Sequence, residues 1–421
     1  MLINEQYPFP MPRQYKNKYF NQDFVSYKNN HLYLEGRHYT RFLAEGTPLA
    51  CTFLNRIITN TNIIRTLLNK YYPDYLLCYA LKASYLKNVL MLIKNLDLGV
   101  SATSSFEIRI AESANINNKR IVFNGVGRTA QEIYSAIKKG NIVNLDSDTE
   151  LKRLISCKRP NEKLFVGLRI RPSLHYLQGP EKYSILGMDY KTAKVCIDLA
   201  SKNNIVINGI SFHLFSNMLD GAGYVAVINE ILKFIKYIAK ERNVKITYLD
   251  IGGGFAPRMY FKSDADIKRM LLHIACLLKS RLSHVKLILE LGRFIVSDAT
   301  GVLSKIVSIK KTKSGVWAIL DASTNFLIPA PGNKWDVSPC HLKKGRGPIT
   351  FVDRMGTIIA KTSNIRVNEE DLVFIFNAGA YTAVMKELFA FPLPKQILVR
   401  NGTIMKVLKE PRLYDVIKYH G

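Results

Sequence analysis

The sequence predicts an α/β protein: a (β/α)8 barrel over residues 41–294, with an antiparallel β domain formed by residues 1–40 and 295–421. Three observations carry that prediction. Short apolar runs alternate with amphipathic stretches of ten or more residues, the pattern of parallel βαβ units. The alternation supplies roughly seven to nine strands in about 240 residues, the size of one closed barrel. Near residue 295 the helical spacing stops, and β-rich runs separated by turns take over.

Taken in order, CTFL near residue 51 opens the strand series, and helical IIRTLLNKYY follows it. Strand YLLCYAL, helix SYLKNVLMLIKN, strand LGVSAT, helix FEIRIAESA and strand RIVFNG come next. The chain then passes through helical AQEIYSAIKKG, strands NIVNLD and LFVGLRI, helical KTAKVCIDLASK and strand VINGISFHLF. A long amphipathic VAVINEILKFIKYIAKE, strand ITYLDIG, helical IKRMLLHIACLLKSR and strand KLILELG complete the barrel. Beyond them, IVSIKKTKSGVWAILDAST, GPITFVDRMGTIIAKT, DLVFIFNAGAY and QILVRNGTIMKVLKE read as antiparallel strands. The first 40 residues fit neither helix nor barrel and are assigned to this β domain.

Composition narrows the class. With 421 residues, 48% of them hydrophobic, the chain has material for two domains and too much apolar content for wholesale disorder. No apolar run reaches the roughly eighteen residues that span a bilayer, and the N-terminal MLINEQYPFPMPRQYKN has no apolar signal region. A cytoplasmic protein without membrane attachment is expected. Six cysteines (51, 78, 157, 196, 276 and 340) form no CxxC pair, which fits reduced thiols and offers no metal site. Lys and Arg number 60 against 33 Asp and Glu, a net charge of +27. Such a field attracts anions, yet the lysines are spread along the chain with no basic arm, so no nucleic-acid partner is expected. An acidic carrier protein or a small polycarboxylate remains possible, as does mere lysine usage across a soluble surface.

Polar and glycine residues cluster just after the expected barrel strands, where barrel active sites are assembled. They are Lys82, Ser104 and Glu107, Asn124 and Gly125, Arg169 and Arg171, His213, Gly252 to Gly254, and Glu290 with Arg293. A lysine, an imidazole, a triple glycine and an acid beside an arginine are the parts needed to hold a phosphorylated, electron-poor ring.

Tyr79-Ala80-Leu81-Lys82 resembles the YA(V/L)K signature of the fold-type III pyridoxal-phosphate (PLP) decarboxylases, the group of diaminopimelate, ornithine and arginine decarboxylases. The likeness runs on in order. GTPLACTFL from Gly46 resembles GTPxYVY, Ser104 to Glu107 resembles SxxE, and LDIGGGF resembles LDxGGG. Glu290-Leu291-Gly292-Arg293 resembles EPGR, and Asn377-Ala378-Gly379-Ala380-Tyr381 resembles DAGAY. VFNGVGRT, GPEKYSILGMD and FAFPLPKQILV are similar to one branch, whose members can act on carrier-tethered or siderophore-type substrates.

The resemblance implies an alanine-racemase-like barrel, a homodimer with the site at its interface, and PLP as cofactor. Lys82 would hold PLP as a Schiff base, passed to the substrate amine; loss of CO2 would give a quinonoid carbanion that is reprotonated. Glu290 would keep the pyridine nitrogen protonated, and His213 would stack on the ring. Lys82, His213 and Glu290 are thus the catalytic candidates. Gly252, Gly253, Gly254 and Gly292, with Ser104, Ser216, Arg293 and Tyr381, would hold the cofactor, largely through its phosphate. The resemblance implies decarboxylation of an amino acid, free or carrier-bound, in secondary metabolism.

The resemblance also breaks in places. The family's VGPxCxxxD loop reaches the neighbouring subunit's site; here its cysteine falls on Ile359 and its acid on Ser363, in the run Met355 to Ser363. EPGR has become ELGR, and the residues after Asn325 do not match the substrate-binding RPALY. Ser216 follows Phe215 where the family has glycine. Three readings follow: another proton donor such as Cys340 or His341, Cys340 then joining Arg293 and Tyr381 as a substrate-contacting candidate; different PLP chemistry such as racemisation; or a non-catalytic binding or regulatory protein.

Overall fold

The computed structural model describes residues 24–173, 185–313, 315–330, 332–408, 414, 417 and 418. Residues 1–23 of the expected N-terminal segment, the start of the GPEKYSILGMD run (179–184) and Lys409–Glu410 lie outside the described residues.

Eight parallel strands close a barrel: β5 (Tyr75–Ala80), β6 (Gly99–Ala102), β7 (Ile121–Phe123), β8 (Ile142–Leu145), β9 (Leu164–Arg169), β10 (Ile205–Ser211), β11 (Tyr248–Asp250) and β12 (Lys286–Leu291). They neighbour one another in sequence order, and β12 pairs β5 to shut the ring. The helices between them are α2 (Lys87–Asn95), α3 (Ser105–Ser113), α4 (Ala130–Lys138), α5 (Asp148–Cys157), α6 (Tyr190–Lys202), α7 (Ala222–Arg242) and α8 (Asp264–Leu282). Local chemistry starts several of them: Ser104, Thr129, Ser147 and Asp189 each cap a helix by accepting the backbone N–H three residues on.

CTFL was expected to open the barrel. Instead β4 (Leu49–Phe53) lies in the β domain, parallel to β19 (Lys395–Arg400) and antiparallel to β13 (Thr300–Thr312). Every residue of β4 is buried. A continuously buried strand fits either a barrel or the middle of a covered sheet, so its pattern alone could not choose. The helix behind it, α1 (Leu54–Tyr71), is part of the barrel's outer ring and packs against α8 and the short α9 (Arg293–Val296).

The β domain is mostly antiparallel, as expected, with two parallel pairings. Its sheet runs β17 (Ile358–Ile365), β16 (Lys344–Val352), β14 (Gly315–Leu320), β13, β4, β19 and β20 (Thr403–Leu408). β15 (Asp336–Pro339) and β18 (Leu372–Phe376) extend it from β13, while β14–β16 and β4–β19 are parallel. A separate three-stranded sheet of β1 (Val25–Lys28), β2 (His31–Leu34) and β3 (Arg37–His38) shares a core with it through Leu32, Phe42, Phe53 and Phe374.

Inside the barrel, apolar and polar layers are stacked. Leu76, Cys78, Val122, Tyr248 and Ile288 form an apolar plug. A Cβ at Gly167 or Gly209 would overlap Tyr248, so these two glycines make the space its ring fills. The Tyr248 hydroxyl then donates to Asn144 Oδ1 at 2.7 Å and opens a polar layer above the plug.

Candidate active site

The polar layer is built on the C-terminal ends of β7, β8, β11 and β12. Asn124 Nδ2 donates to Asp250 Oδ2 at 2.9 Å and to Glu290 Oε1 at 2.7 Å. Asn144 Nδ2 adds a second bond to Asp250 Oδ2 at 3.0 Å, and Gly252 N–H donates to Asp250 Oδ1 at 2.9 Å. Burial, and then the Glu290 charge, push the Asp250 carboxyl well above the usual carboxylate range. Glu290 is also pushed up by burial, against hydrogen bonds from Ser101 and Asn124 and the charges of Arg169 and Lys82. Two carboxyls bridged by one amide resist being ionised together.

Lys82 follows β5 in a single 3-10 turn, Leu81–Ala83, and is exposed at the mouth of the barrel. A buried strand thus delivers its ammonium to an open position. Glu107, His213 and Glu290 are all close enough to feel its charge. His213 is partly buried against Gly252, whose missing Cβ would stand 2.8 Å from His213 Nδ1. Burial, with Arg169 and Lys82 nearby, pushes this imidazole down to about 3, so it is neutral at pH 7. Arg169 pairs with Asp146 at 3.2 Å, and Asp146 also receives the Gly187 N–H.

The triple glycine is held on every side. Gly252 (φ +67) and Gly254 (φ +99) adopt conformations that favour glycine, and a Cβ at Gly253 or Gly254 would overlap the carbonyl of Glu290 or Phe215. Tyr224 donates to the Gly253 carbonyl and Met218 N–H to that of Gly254. All three N–H groups were expected to face phosphate, yet Gly252 gives its own to Asp250. Those of Gly253 and Gly254 take no acceptor among the described residues and fit a phosphate. Phe215 is buried behind this turn, its carbonyl against Gly254, and Ser216 is exposed beside it.

Arg293 and Tyr381 close another edge. The Arg293 guanidinium lies over the Tyr381 ring at 4.7 Å, and Tyr381 N–H donates to Ala83 O at 2.7 Å, which places this edge beside Lys82. Gly292 packs against Ala80 and Ala83. Together these residues offer a lysine, an acid, a neutral imidazole and a cationic, N–H-rich rim, a donor set suited to PLP.

Three expected residues behave otherwise. Ser104 Oγ accepts the Glu107 N–H at 3.3 Å as the α3 cap, so its first duty is structural. Cys340 is 1% exposed in the β-domain core with Cys51 and Phe374, and burial raises its thiol well above the ordinary range. His341 stacks on His31 at 4.3 Å. Burial in the β-domain core removes Cys340 as a proton donor and as a substrate contact within the chain, while His341 lies exposed beside His31. Asp250, Asn144 and Asn333 were not singled out. Asp250 was legible in LDIGGG, whereas Asn144 and Asn333 carry no local signal. A separate groove of about 670 Å3, with Lys233, Lys236, Lys245, Arg281 and His284 on its walls, lies between the C-terminal ends of α7 and α8, at the opposite end of the barrel.

Comparison with known proteins agrees with this geometry. The family described as "Pyridoxal-dependent decarboxylase, pyridoxal binding domain" matches residues 59–297, and the chain belongs to that family. It is therefore a PLP-dependent carboxy-lyase. A diaminopimelate decarboxylase of Aquifex aeolicus is 29% identical over 94% of this chain and 96% of its own length. One from Zymomonas mobilis is 29% identical over 82% of this chain and 85% of its own. A crystallised Aquifex aeolicus protein superposes with a TM-score of 0.79 at 26% identity, over 96% of this chain and 98% of the other. Crystalline diaminopimelate decarboxylase from M. jannaschii, at 24% identity, shares the fold with a TM-score of 0.80, over 94% and 97%.

Proposed function

We propose that the chain decarboxylates a free amino acid at its α-carbon, with Lys82 as the residue that holds PLP. The observation that carries this is the convergence of Glu107, His213 and Glu290 around the exposed Lys82 ammonium, with the Gly253 and Gly254 N–H groups available for phosphate. Bound there, PLP supplies the electron sink for the breaking bond between Cα and the carboxylate. Glu290 would offer its carboxyl to the ring nitrogen, and Asn124, bridging it to Asp250, helps set where the proton of that carboxyl pair rests. His213, neutral at pH 7, would cover one face of the cofactor ring without repelling Lys82. Arg293 and Tyr381 orient an anionic group, phosphate or substrate carboxylate.

The relatives named above suggest diaminopimelate as the first amino acid to assay. The carrier-tethered branch finds no support among them, so a free amino acid is preferred. A homodimer belongs to this proposal. Its support is the exposure of Met355, Ile358, Met385 and Phe389 on and near the loop whose family counterpart reaches a neighbouring subunit. Ile359, at the family's cysteine position, is only 6% exposed in the β-domain core, so a proton donor has to come from elsewhere. Four buried cysteines among six unpaired ones fit a reducing cytoplasm. No helix among the described residues is long and apolar enough to cross a membrane.

The test is CO2 release from diaminopimelate, lysine, ornithine, arginine and acidic amino acids, with Lys82→Ala as control. Release from one of them, abolished in the variant, supports the reading. Solvent deuterium entering Cα with the carboxylate retained would indicate a racemase instead. Binding of PLP without either reaction would indicate a regulator.

A further inference from the structure

We propose that Asn333 is a positioning residue for Arg293, fixing its guanidinium where it meets the anion of cofactor or substrate. The inference rests on the reading of Arg293 as an anion-binding group.

Three connections meet at this asparagine. Its Oδ1 accepts from Arg293 Nη1 at 2.8 Å, and its Nδ2 points at the carbonyls of Ile328 and Ala380, at 3.4 and 3.3 Å. The residues on either side are tied as well. Gly332 O accepts from Asn217 Nδ2 at 3.0 Å, while Lys334 O accepts from Asn377 Nδ2 at 2.7 Å and from the Tyr260 hydroxyl at 3.0 Å. Gly332 has φ +75, and a Cβ there would stand 2.9 Å from the Asn217 amide and 3.2 Å from Arg293 Nη2. Residues 332–334 thus form a strap that joins the loop after β10, the end of β12 and the turn carrying Tyr381. It lies in the segment where the sequence does not match RPALY.

The chemistry of the acceptor decides what the strap does. Arg293 is 8% exposed, its face covered by Tyr381 and one edge held by Asn333. A long side chain fixed this way does not have to be ordered again when an anion arrives. A neutral amide oxygen orients the guanidinium and leaves its full charge for the ligand. A carboxylate at the same place would orient it equally well and cancel that charge.

Asn333→Asp, Asn333→Leu and Arg293→Met variants, with both doubles, test this. Affinity of the apoprotein for PLP and for pyridoxal is read by absorbance, and KM and kcat by CO2 release. We expect Asn333→Asp and Asn333→Leu each to weaken anion binding by roughly tenfold, with kcat nearly kept, and neither to add to Arg293→Met. A loss seen with PLP and absent with pyridoxal places the phosphate at Arg293. A rise in KM with unchanged PLP affinity places the substrate carboxylate there. If Arg293→Met alters neither quantity, the anion-binding reading of Arg293 fails, and the proposal fails with it. If Arg293→Met matters but the Asn333 variants bind as the parent does, or their effects add to it, only the positioning role is overturned. Normal function in Asn333→Asp with loss in Asn333→Leu would reduce Asn333 to a structural tether and also overturn it.

Discussion

At the scale of single residues, burial pushes the Asp250 and Glu290 carboxyls and the His213 imidazole of the candidate site toward their neutral forms. His213 shows the consequence for stability. Its folded-state value of about 3 lies below the ordinary 6.5, so the unfolded chain takes up the proton first. The stability linked to neutral His213 is full above pH 6.5 and is lost as pH falls toward 3. His213→Gln should therefore flatten the acid side of the thermal-midpoint profile in that window, by at most about 1.4 kcal/mol per pH unit. Equal slopes in variant and parent would contradict the burial assigned to this imidazole. Lys82, Glu290 and His213 could be proposed from sequence because each lies at or just beyond the C-terminal end of an apolar strand run. Nothing in the local sequence marks Cys340 as buried; the fold packs it in one core with Leu32, Cys51 and Phe374. Asn333 was invisible because its value depends on Arg293, forty residues away in sequence.

Elements position these residues through buried pairs that no periodicity reveals. Arg128 binds Glu150 with Nη2 to Oε2 at 2.6 Å, and also donates to the carbonyls of Phe123 and Asn144. This one guanidinium fastens the ends of β7 and β8, which carry Asn124 and Asn144, to the start of α5. Arg128→Met should cost about 3–5 kcal/mol, because Glu150, with none of its surface exposed, loses its partner. Thermal unfolding checks this, and a change under 1 kcal/mol would rule it out. Gly209→Ala should cost about 1–3 kcal/mol by driving into the Tyr248 ring. It should also weaken PLP binding, since Tyr248 steers Asn144 and so Asp250; normal affinity would uncouple plug from site. The helices were readable from their amphipathic spacing. The placement of β4 was not, because a short, mostly apolar strand suits two sheets equally well.

For the whole molecule, the two domains cooperate at one place. The barrel supplies Lys82, His213, Glu290 and the glycine turn, and the β domain supplies Asn333 and Tyr381 against them. The barrel and the mostly antiparallel sheet domain were legible in the change of texture near residue 295, but the place of β4 in that sheet was not. The surface proposed for a homodimer was not legible either, because exposed Ile358 and Phe389 look in sequence like core residues. Replacing both with lysine should shift a dimer to monomer in sedimentation and reduce activity with it; an unchanged dimer would place the interface elsewhere. The net charge of +27 predicts that affinity for any acidic partner falls steeply with salt. Salt-independent binding would remove electrostatic steering from the account.

Borohydride trapping asks whether Lys82 holds the cofactor. Purified protein with added PLP should show a visible band that borohydride removes, leaving the ring attached to the peptide containing Lys82 by mass. Lys82→Ala should show neither band nor adduct. An adduct on another lysine, or no band in the parent protein, would contradict the account at its base.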